Sequence, residues 1–474
     1  MRVRSLYSHE YDYDPDANRL FYVGDGGAVD DVSTRASKPL VLPPFDRRLV
    51  EEIFAERRLR ALNIALTERC NFRCRYCVYS GAFSRRRTHS DKTLSLENGR
   101  QIVDWFVRYS AAEPEVALGF YGGEVLLEFA TLKNLTAYAE RRLGARLVRV
   151  GFTTNGAALT PEICAYIQAN NKIKISVTLN GSAEIHDRDR VFADGAPSFA
   201  VVERNVRRLA SALGASFSSR VVFLANYSTW AERSRILRFF RTHPVFKVCD
   251  VLPLETVWAN SLAESRRLAL AADAERRFRE ESMRRALAAE KLDFALLDVK
   301  RDALRRLHCR PLGSTPFVVL PGLCVPFKSR LLVDINGVLR FCESADSFFP
   351  LGSVFDDVVY FDKLERLAFS LRRLFNDVLR CGACPARRFC RLCYQDFLDG
   401  EEIAPTERVR TKCRDAIALL RKNLSVYLSL AERRPDALSQ LTPFSFAQDD
   451  PWLDAALRRT LRRQLAANSP TQDG

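Results

Sequence analysis

Cys70, Cys74 and Cys77 lie in the stretch "CNFRCRYC", with the spacing C-x3-C-x2-C. Converging thiolates bind soft metals or exchange disulfides, and the spacing leaves three readings. A structural zinc site normally takes four protein ligands, and no histidine stands beside this run to complete one. A C-x2-C redox pair accounts for Cys74 and Cys77 but leaves Cys70 unexplained. A cubic four-iron cluster held by three cysteines keeps one iron open, and that iron can chelate a small ligand.

A second group follows toward the C-terminus: Cys309, Cys324, Cys342, Cys381, Cys384, Cys390, Cys393 and Cys413. Two C-x2-C pairs in it are five residues apart. Zinc ribbons space such pairs by roughly 15–20 residues, so iron–sulfur ligation is the better reading and a ribbon the alternative. "LLVDINGVLRFC" reads as a hairpin about a type I′ Asn336-Gly337 turn, which returns Cys342 to the start of its partner strand. Cys164 and Cys249 fit no spacing and read as buried apolar thiols.

The elements around these groups alternate. Six apolar runs, "ALNIALT", "EVALGFYGG", "RLVRVGFTTNG", "KIKISVTLNG", "SFSSRVVFLAN" and "FKVCDVLPL", read as buried strands. Amphipathic helices lie between them, one capped by Thr160 before Pro161 and one opening on a Thr229–Glu232 capping box. Strand–helix alternation implies a parallel sheet. About 190 residues are short of the roughly 250 of an eightfold barrel, so a partial (β/α)6 barrel is expected, with functional residues at the C-terminal strand ends. The three-cysteine run follows the first strand, at that end.

The chain has 474 residues, 47% hydrophobic and 28% charged, with a formal net charge of +15. No apolar run approaches transmembrane length, the N-terminus lacks a signal-peptide core, and a cytoplasmic protein without a membrane partner is expected. Thirteen cysteines in that compartment argue against a disulfide framework. The arginines are scattered through helical stretches without a nucleic-acid signature, so no nucleic-acid partner is expected.

With Tyr76 as the aromatic before the third cysteine, Cys70, Cys74 and Cys77 resemble the signature of the radical S-adenosylmethionine (radical SAM) superfamily. The resemblance implies a [4Fe-4S] cluster whose open iron binds SAM. It also implies reductive cleavage of SAM to a 5′-deoxyadenosyl radical, which abstracts hydrogen from a substrate. "YGGE" resembles the motif that contacts the SAM amino group, giving Gly122, Gly123 and Glu124. "TTNG" and "SVTLNG…EIHDRDR" resemble the ribose- and carboxylate-contacting region, giving Asn155, Ser176 and Arg190, and Leu224 is a candidate to pack on adenine, with ordinary core as the alternative. Relatives commonly read "SLDG" where this chain has Asn180, so no acidic role is carried over there.

The second cysteine group resembles the SPASM extension of peptide-modifying radical SAM enzymes, which usually holds two auxiliary [4Fe-4S] clusters. The resemblance assigns Cys381, Cys384, Cys390 and Cys413 to the outer cluster. It assigns Cys324, Cys342 and Cys393 to the inner one, with Cys309 as fourth ligand. The spacing after Cys390 is one residue shorter than the usual pattern. Glu343, directly after Cys342, matches an acidic residue that serves as base in sulfatase-maturing relatives; an exposed salt-bridging glutamate is the alternative.

The expected layout is a preface over 1–60 (a strand-and-helix ornament or a reduced leader-recognition element), the barrel over 61–255, a helical connector over 256–308, the SPASM module over 309–413, and helices with a disordered tail over 414–474. The implied function is maturation of a ribosomally made precursor peptide by a thioether or carbon–carbon crosslink or a related side-chain change. The implied electron donor is flavodoxin or ferredoxin. Sulfatase maturation to formylglycine is the enzymatic alternative, and a zinc-binding nucleic-acid or scaffold protein the non-enzymatic one.

Overall fold

A computed structural model of the chain describes all residues except 7, 24–37, 83–86, 256–276, 279, 290–300, 311–313, 329–330, 344–348, 440, 442–450 and 467–474. Most of the expected helical connector and the expected terminal tail lie outside the described residues. The chain divides into two units, one of Met1–Glu52, Arg279–Val325 and Phe361–Gly474, the other of Ile53–Phe278 and Pro326–Tyr360.

In the first unit, β1 (Arg2–Arg4), β2 (Glu10–Asp14) and β3 (Arg19–Val23) form an antiparallel sheet. Its inward Val3 and Tyr13 pack with Ala386, Leu420, Leu424 and Leu428, so the N-terminal residues share a core with the cysteine-rich region and the long helix Thr406–Arg433. β4 (Leu40–Leu42) pairs in parallel with Phe317–Val319, and α1 (Arg47–Ala55) follows it.

The second unit is the expected partial barrel. β5 (Ala61–Thr67), β6 (Val116–Gly122), β7 (Leu147–Thr154), β8 (Ile173–Thr178), β9 (Val221–Tyr227) and β10 (Val251–Glu255) lie side by side in chain order, all parallel. Side chains alternate across each strand. Val116, Leu118 and Phe120 of β6 and Phe223 and Ala225 of β9 are buried. Gly119, Tyr121, Arg149, Gly151, Thr153, Lys174, Ser176 and Val222 line a cavity of about 540 Å³, which Leu118 and Phe120 also border.

α2 (Leu96–Tyr109), α3 (Phe129–Leu143), α4 (Pro161–Ala169), α5 (Ala183–Asp189), α6 (Phe199–Leu213), α7 (Phe217–Arg220) and α8 (Trp230–Thr242) make the connections. Their starts are chemically specified: Ser95, Thr160 and Thr229 each accept a hydrogen bond from a first-turn N–H.

Two local expectations are corrected. "SFSSR" is helical turn rather than strand, and β9 begins only at Val221. The Ser216 and Ser219 hydroxyls donate back to the Leu213 and Ser216 carbonyls at 2.8 and 3.0 Å, which favours the helical turn. The hairpin forms between β12 (Leu332–Val333) and β13 (Val338–Arg340), β11 being Phe317–Val319, but its turn is not type I′. Only Gly337 takes a positive φ (+79°), because the Asp334 carboxylate accepts the Asn336 and Val338 N–H groups and sets a longer loop. β12 runs parallel beside β5, and β13 leads on to β14 (Gly352–Ser353) and β15 (Val358–Val359).

Candidate metal centre

Residues 68–80 leave the C-terminal end of β5 and are held by backbone pairing. The Arg73 and Arg75 N–H groups donate to the Val191 and Asp189 carbonyls, and Ala193 N–H to Asn71 O, each at 2.9 Å. Phe72 and Phe192 face each other edge to face. The "YGGE" glycines hold the loop's entry. Gly123 N–H donates to Thr67 O and Glu124 N–H to Arg69 O, both at 2.8 Å. A Cβ on Gly123 would come within 2.0 Å of Arg69 O, so only glycine fits.

Cys70, Cys74 and Cys77 converge in this loop. Burial, with Glu124, Cys74 and Cys77 adding to it, pushes the Cys70 thiol up to about 12. Cys77 is raised in the same way by burial and then by Cys74. Phe72 N–H points at Cys70 Sγ (3.5 Å) and Tyr79 N–H at Cys77 Sγ (3.4 Å). Arg190 is buried among them: burial opposes its charge, but Cys74, Tyr76 and Cys70 outweigh that and raise its pKa. Its Nε is buried with no hydrogen-bond partner among the described residues.

Tyr76 anchors the loop to the strand ends. Its hydroxyl accepts from Arg190 Nη1 (3.0 Å), Asn226 Nδ2 (3.1 Å) and Asn180 Nδ2 (3.2 Å). Asn180 Oδ1 accepts Asn226 N–H at 2.9 Å, which fixes the amide's orientation. His186 lies behind them, fully buried. Its Nδ1 accepts Asn180 N–H at 3.2 Å, its Nε2 lies 3.1 Å from Ser198 Oγ, and that hydroxyl donates to Arg190 O at 2.8 Å. Burial, with Arg190 adding to it, drives the His186 pKa down to about 2. Nothing in the spacing of "EIHDRDR" singled out His186, because its role is read only from where the ring points.

The other expected SAM residues scatter in their tasks. Glu124 is buried; its Oε1 accepts Thr154 Oγ1 (2.7 Å) and Leu126 N–H (3.1 Å), and its Oε2 accepts Asn155 N–H (2.7 Å). Burial raises its pKa against those bonds. Asn155 Nδ2 donates to Asn71 Oδ1 in the cysteine loop at 2.7 Å. Ser176 lines the cavity with Tyr121 and Glu343. Leu224, half-buried, is two residues from cavity-lining Val222 on the same face of β9.

In the first unit, Cys381, Cys384, Cys390 and Cys413 also converge. Burial first, then Cys413, Cys384 and Cys390, raise Cys381, and burial pushes Cys390 up to about 12. Arg387, 1% exposed, ties this loop to the N-terminal hairpin through Cys384 O (3.0 Å), Pro15 O (2.7 Å) and the Asp16 carboxylate. Cys324 and Cys393 both lie near the Tyr394 hydroxyl, which burial and these two thiols push well above its usual range. That hydroxyl donates to Cys324 O at 2.6 Å. Cys309 Sγ donates to Leu441 O at 3.2 Å, and Cys342 belongs to the barrel unit.

Among the described residues no three His, Cys, Asp or Glu side chains close on a single ion. A four-iron cube needs soft thiolates facing separate corners rather than one point, and both groups of thiols suit that donor demand.

The radical SAM superfamily model matches residues 64–240. These residues are a radical SAM domain. Its expected cofactors are therefore a [4Fe-4S] cluster and SAM. Over 141 residues the chain is 28% identical to the serine-type anaerobic sulfatase-maturating enzyme of Bacteroides thetaiotaomicron, covering 30% of this chain and 34% of that protein. Over 223 residues it is 30% identical to mycofactocin maturase MftC of Mycobacterium tuberculosis, covering 43% and 50%. The chain thus matches only about a third to a half of the length of these curated relatives. Native anSMEcpe with bound AdoMet and Cp18Cys peptide shares the fold, with a TM-score of 0.55 at 14% identity over 81% of this chain and 100% of that one. Among the described residues no helix is long and apolar enough to cross a membrane.

Proposed function

We propose that the protein is a radical SAM maturase that modifies a peptide side chain, by a thioether or carbon–carbon crosslink or a related change. One observation carries this reading. Three thiols lie in the loop leaving β5 with the buried Arg190, which follows α5, beside them, and Tyr121 and Thr153 near the strand ends line a cavity of about 540 Å³. When bound, the cluster and SAM supply a hydrogen-abstracting radical.

Cys70, Cys74 and Cys77 hold the cluster. Gly122, Gly123, Glu124, Asn155, Ser176, Arg190, Leu224 and Tyr76 shape the SAM pocket. Arg190 keeps a positive charge at thiolates that burial would otherwise protonate. Glu343, on the cavity wall, receives a proton from the substrate group that is oxidised. Cys381, Cys384, Cys390 and Cys413 hold an outer auxiliary cluster. Cys324, Cys342 and Cys393 belong to an inner one, whose fourth ligand Cys309 is the least supported because its thiol is engaged with Leu441 O. Residues 1–60 are a strand-and-helix ornament or a reduced leader-recognition element, and a net charge of +15 favours an acidic donor such as flavodoxin or ferredoxin.

Sulfatase maturation is the second reading, favoured by Glu343 directly after Cys342 and on the cavity wall. The test is anaerobic reconstitution, chemical reduction and mass spectrometry with two peptides, one sulfatase-derived and one encoded beside this gene. A mass change in the neighbouring-gene peptide supports crosslinking or side-chain maturation. Efficient formylglycine formation in the sulfatase peptide alone supports the second reading. No SAM cleavage by cluster-loaded protein would overturn both.

A further inference from the structure

We infer that His89 is a positioning residue for the cluster, donating an N–H···S hydrogen bond to Cys77 that raises the cluster's reduction potential. The inference rests on the reading that Cys70, Cys74 and Cys77 hold the cluster. His89 stands 12 positions beyond Cys77, outside the cysteine spacing, yet its Nε2 lies 3.7 Å from Cys77 Sγ. A metal-bound thiolate only accepts hydrogen bonds, so Nε2 carries the proton.

The ring is held in place. His89 N–H donates to Tyr79 O at 3.2 Å, and the imidazole meets the Tyr79 ring edge to face at 6.4 Å. Arg87 covers that same ring, 3.6 Å from its centroid. Tyr79 is buried, and its own N–H points at Cys77 Sγ. Cys77 therefore receives one backbone and one imidazole donor, whereas among the hydrogen bonds seen here Cys70 Sγ receives one from Phe72 N–H. His89 Nδ1 is buried and makes none of the side-chain hydrogen bonds seen among the described residues, and the Glu68 backbone also lies close to the ring.

Reduction adds negative charge that spreads onto the sulfurs. A donor aimed at a sulfur stabilises the reduced form more than the oxidised one, and hydrogen bonds to sulfur are among the factors that set cluster potentials. Losing the donor should lower the potential.

The test is a redox titration of the reconstituted full chain without substrate, followed by electron paramagnetic resonance of the reduced cluster. In His89→Phe, which keeps a ring but no donor, the reduced-to-oxidised ratio at fixed potential should fall roughly tenfold, ~59 mV for one electron. His89→Gln, whose amide still donates, should recover most of the difference. Spin-echo spectroscopy of wild-type protein carrying ¹⁵N-histidine should show a nitrogen coupling on the reduced cluster, a readout independent of how the variants fold. Equal potentials for wild type and His89→Phe at equal iron and sulfide content, or no histidine coupling, would overturn the inference while leaving the cluster reading intact. Wild-type protein that binds no iron and sulfide would overturn the cluster reading and this inference with it.

Discussion

The chain gathers thiols twice, by different means. The Cys70–Cys77 loop hangs from a parallel strand and pairs with residues 189–193, which brings Arg190 among three sulfurs. The Cys381–Cys413 group draws on a loop and the long helix Thr406–Arg433, and it brings four thiols together beside an N-terminal hairpin. Three ligands leave a cube an open corner, whereas four close it. Arg190 lies in the network that also holds Tyr76, Asn180 and Asn226 at the strand ends, while Arg387 is bound to the carbonyls and carboxylate that fix its loop. On the proposed reading the first group would serve chemistry at its open side, and the second would hold a fixed cluster.

The largest contrast should come from removing one thiol of each group. Cys74→Ala should abolish reductive SAM cleavage. Cys384→Ala should leave 5′-deoxyadenosine formation within a few-fold of wild type while peptide modification is lost. Chromatographic assay of both products checks this, and equal loss of SAM cleavage in the two variants would erase the distinction.

Arg387→Met should come next. It removes a buried guanidinium from three acceptors and should destabilise the first unit by about 2–3 kcal/mol. Hydrogen exchange should show faster opening of residues 10–16 and 381–390, with the barrel strands unchanged.

The smallest effect is one of pH, in the barrel. His186 is neutral when folded, its pKa lowered to about 2. The unfolded chain, with a histidine pKa of about 6.5, binds the proton more readily, so stability is full above that value and falls on acidification. Between pH 7 and 5 this amounts to about 2 kcal/mol. Denaturation of wild type and His186→Phe at both values checks it: the variant, weaker at pH 7, should lose less on acidification.

Much of the barrel was legible because its strands and caps are local signals: apolar runs of strand length, and Ser or Thr before helix starts. The gathering of Cys70, Cys74 and Cys77, and of Cys381, Cys384, Cys390 and Cys413, was legible for the same reason, since spacing is a property of sequence. What was not legible depends on where side chains turn. "SFSSR" reads as strand by its neighbours, yet serine hydroxyls hold it as a helical turn. Asn336-Gly337 promised a two-residue turn, and Asp334 captured the amides first. The "YGGE" glycines were assigned to SAM, yet close approach to the Thr67 and Arg69 carbonyls already requires them. His186 and His89 carried no spacing signal, because the contacts of each depend on where its ring nitrogens point.

The most direct test of the central claim is a variant with Cys381, Cys384, Cys390 and Cys413 all replaced by alanine. After anaerobic reconstitution its iron, sulfide and electron paramagnetic resonance would be measured with and without SAM. The account predicts that an iron–sulfur cluster remains on Cys70, Cys74 and Cys77 and that its reduced-state spectrum shifts when SAM is added. A folded variant holding stoichiometric zinc without sulfide, or a cluster whose spectrum ignores SAM, would contradict it.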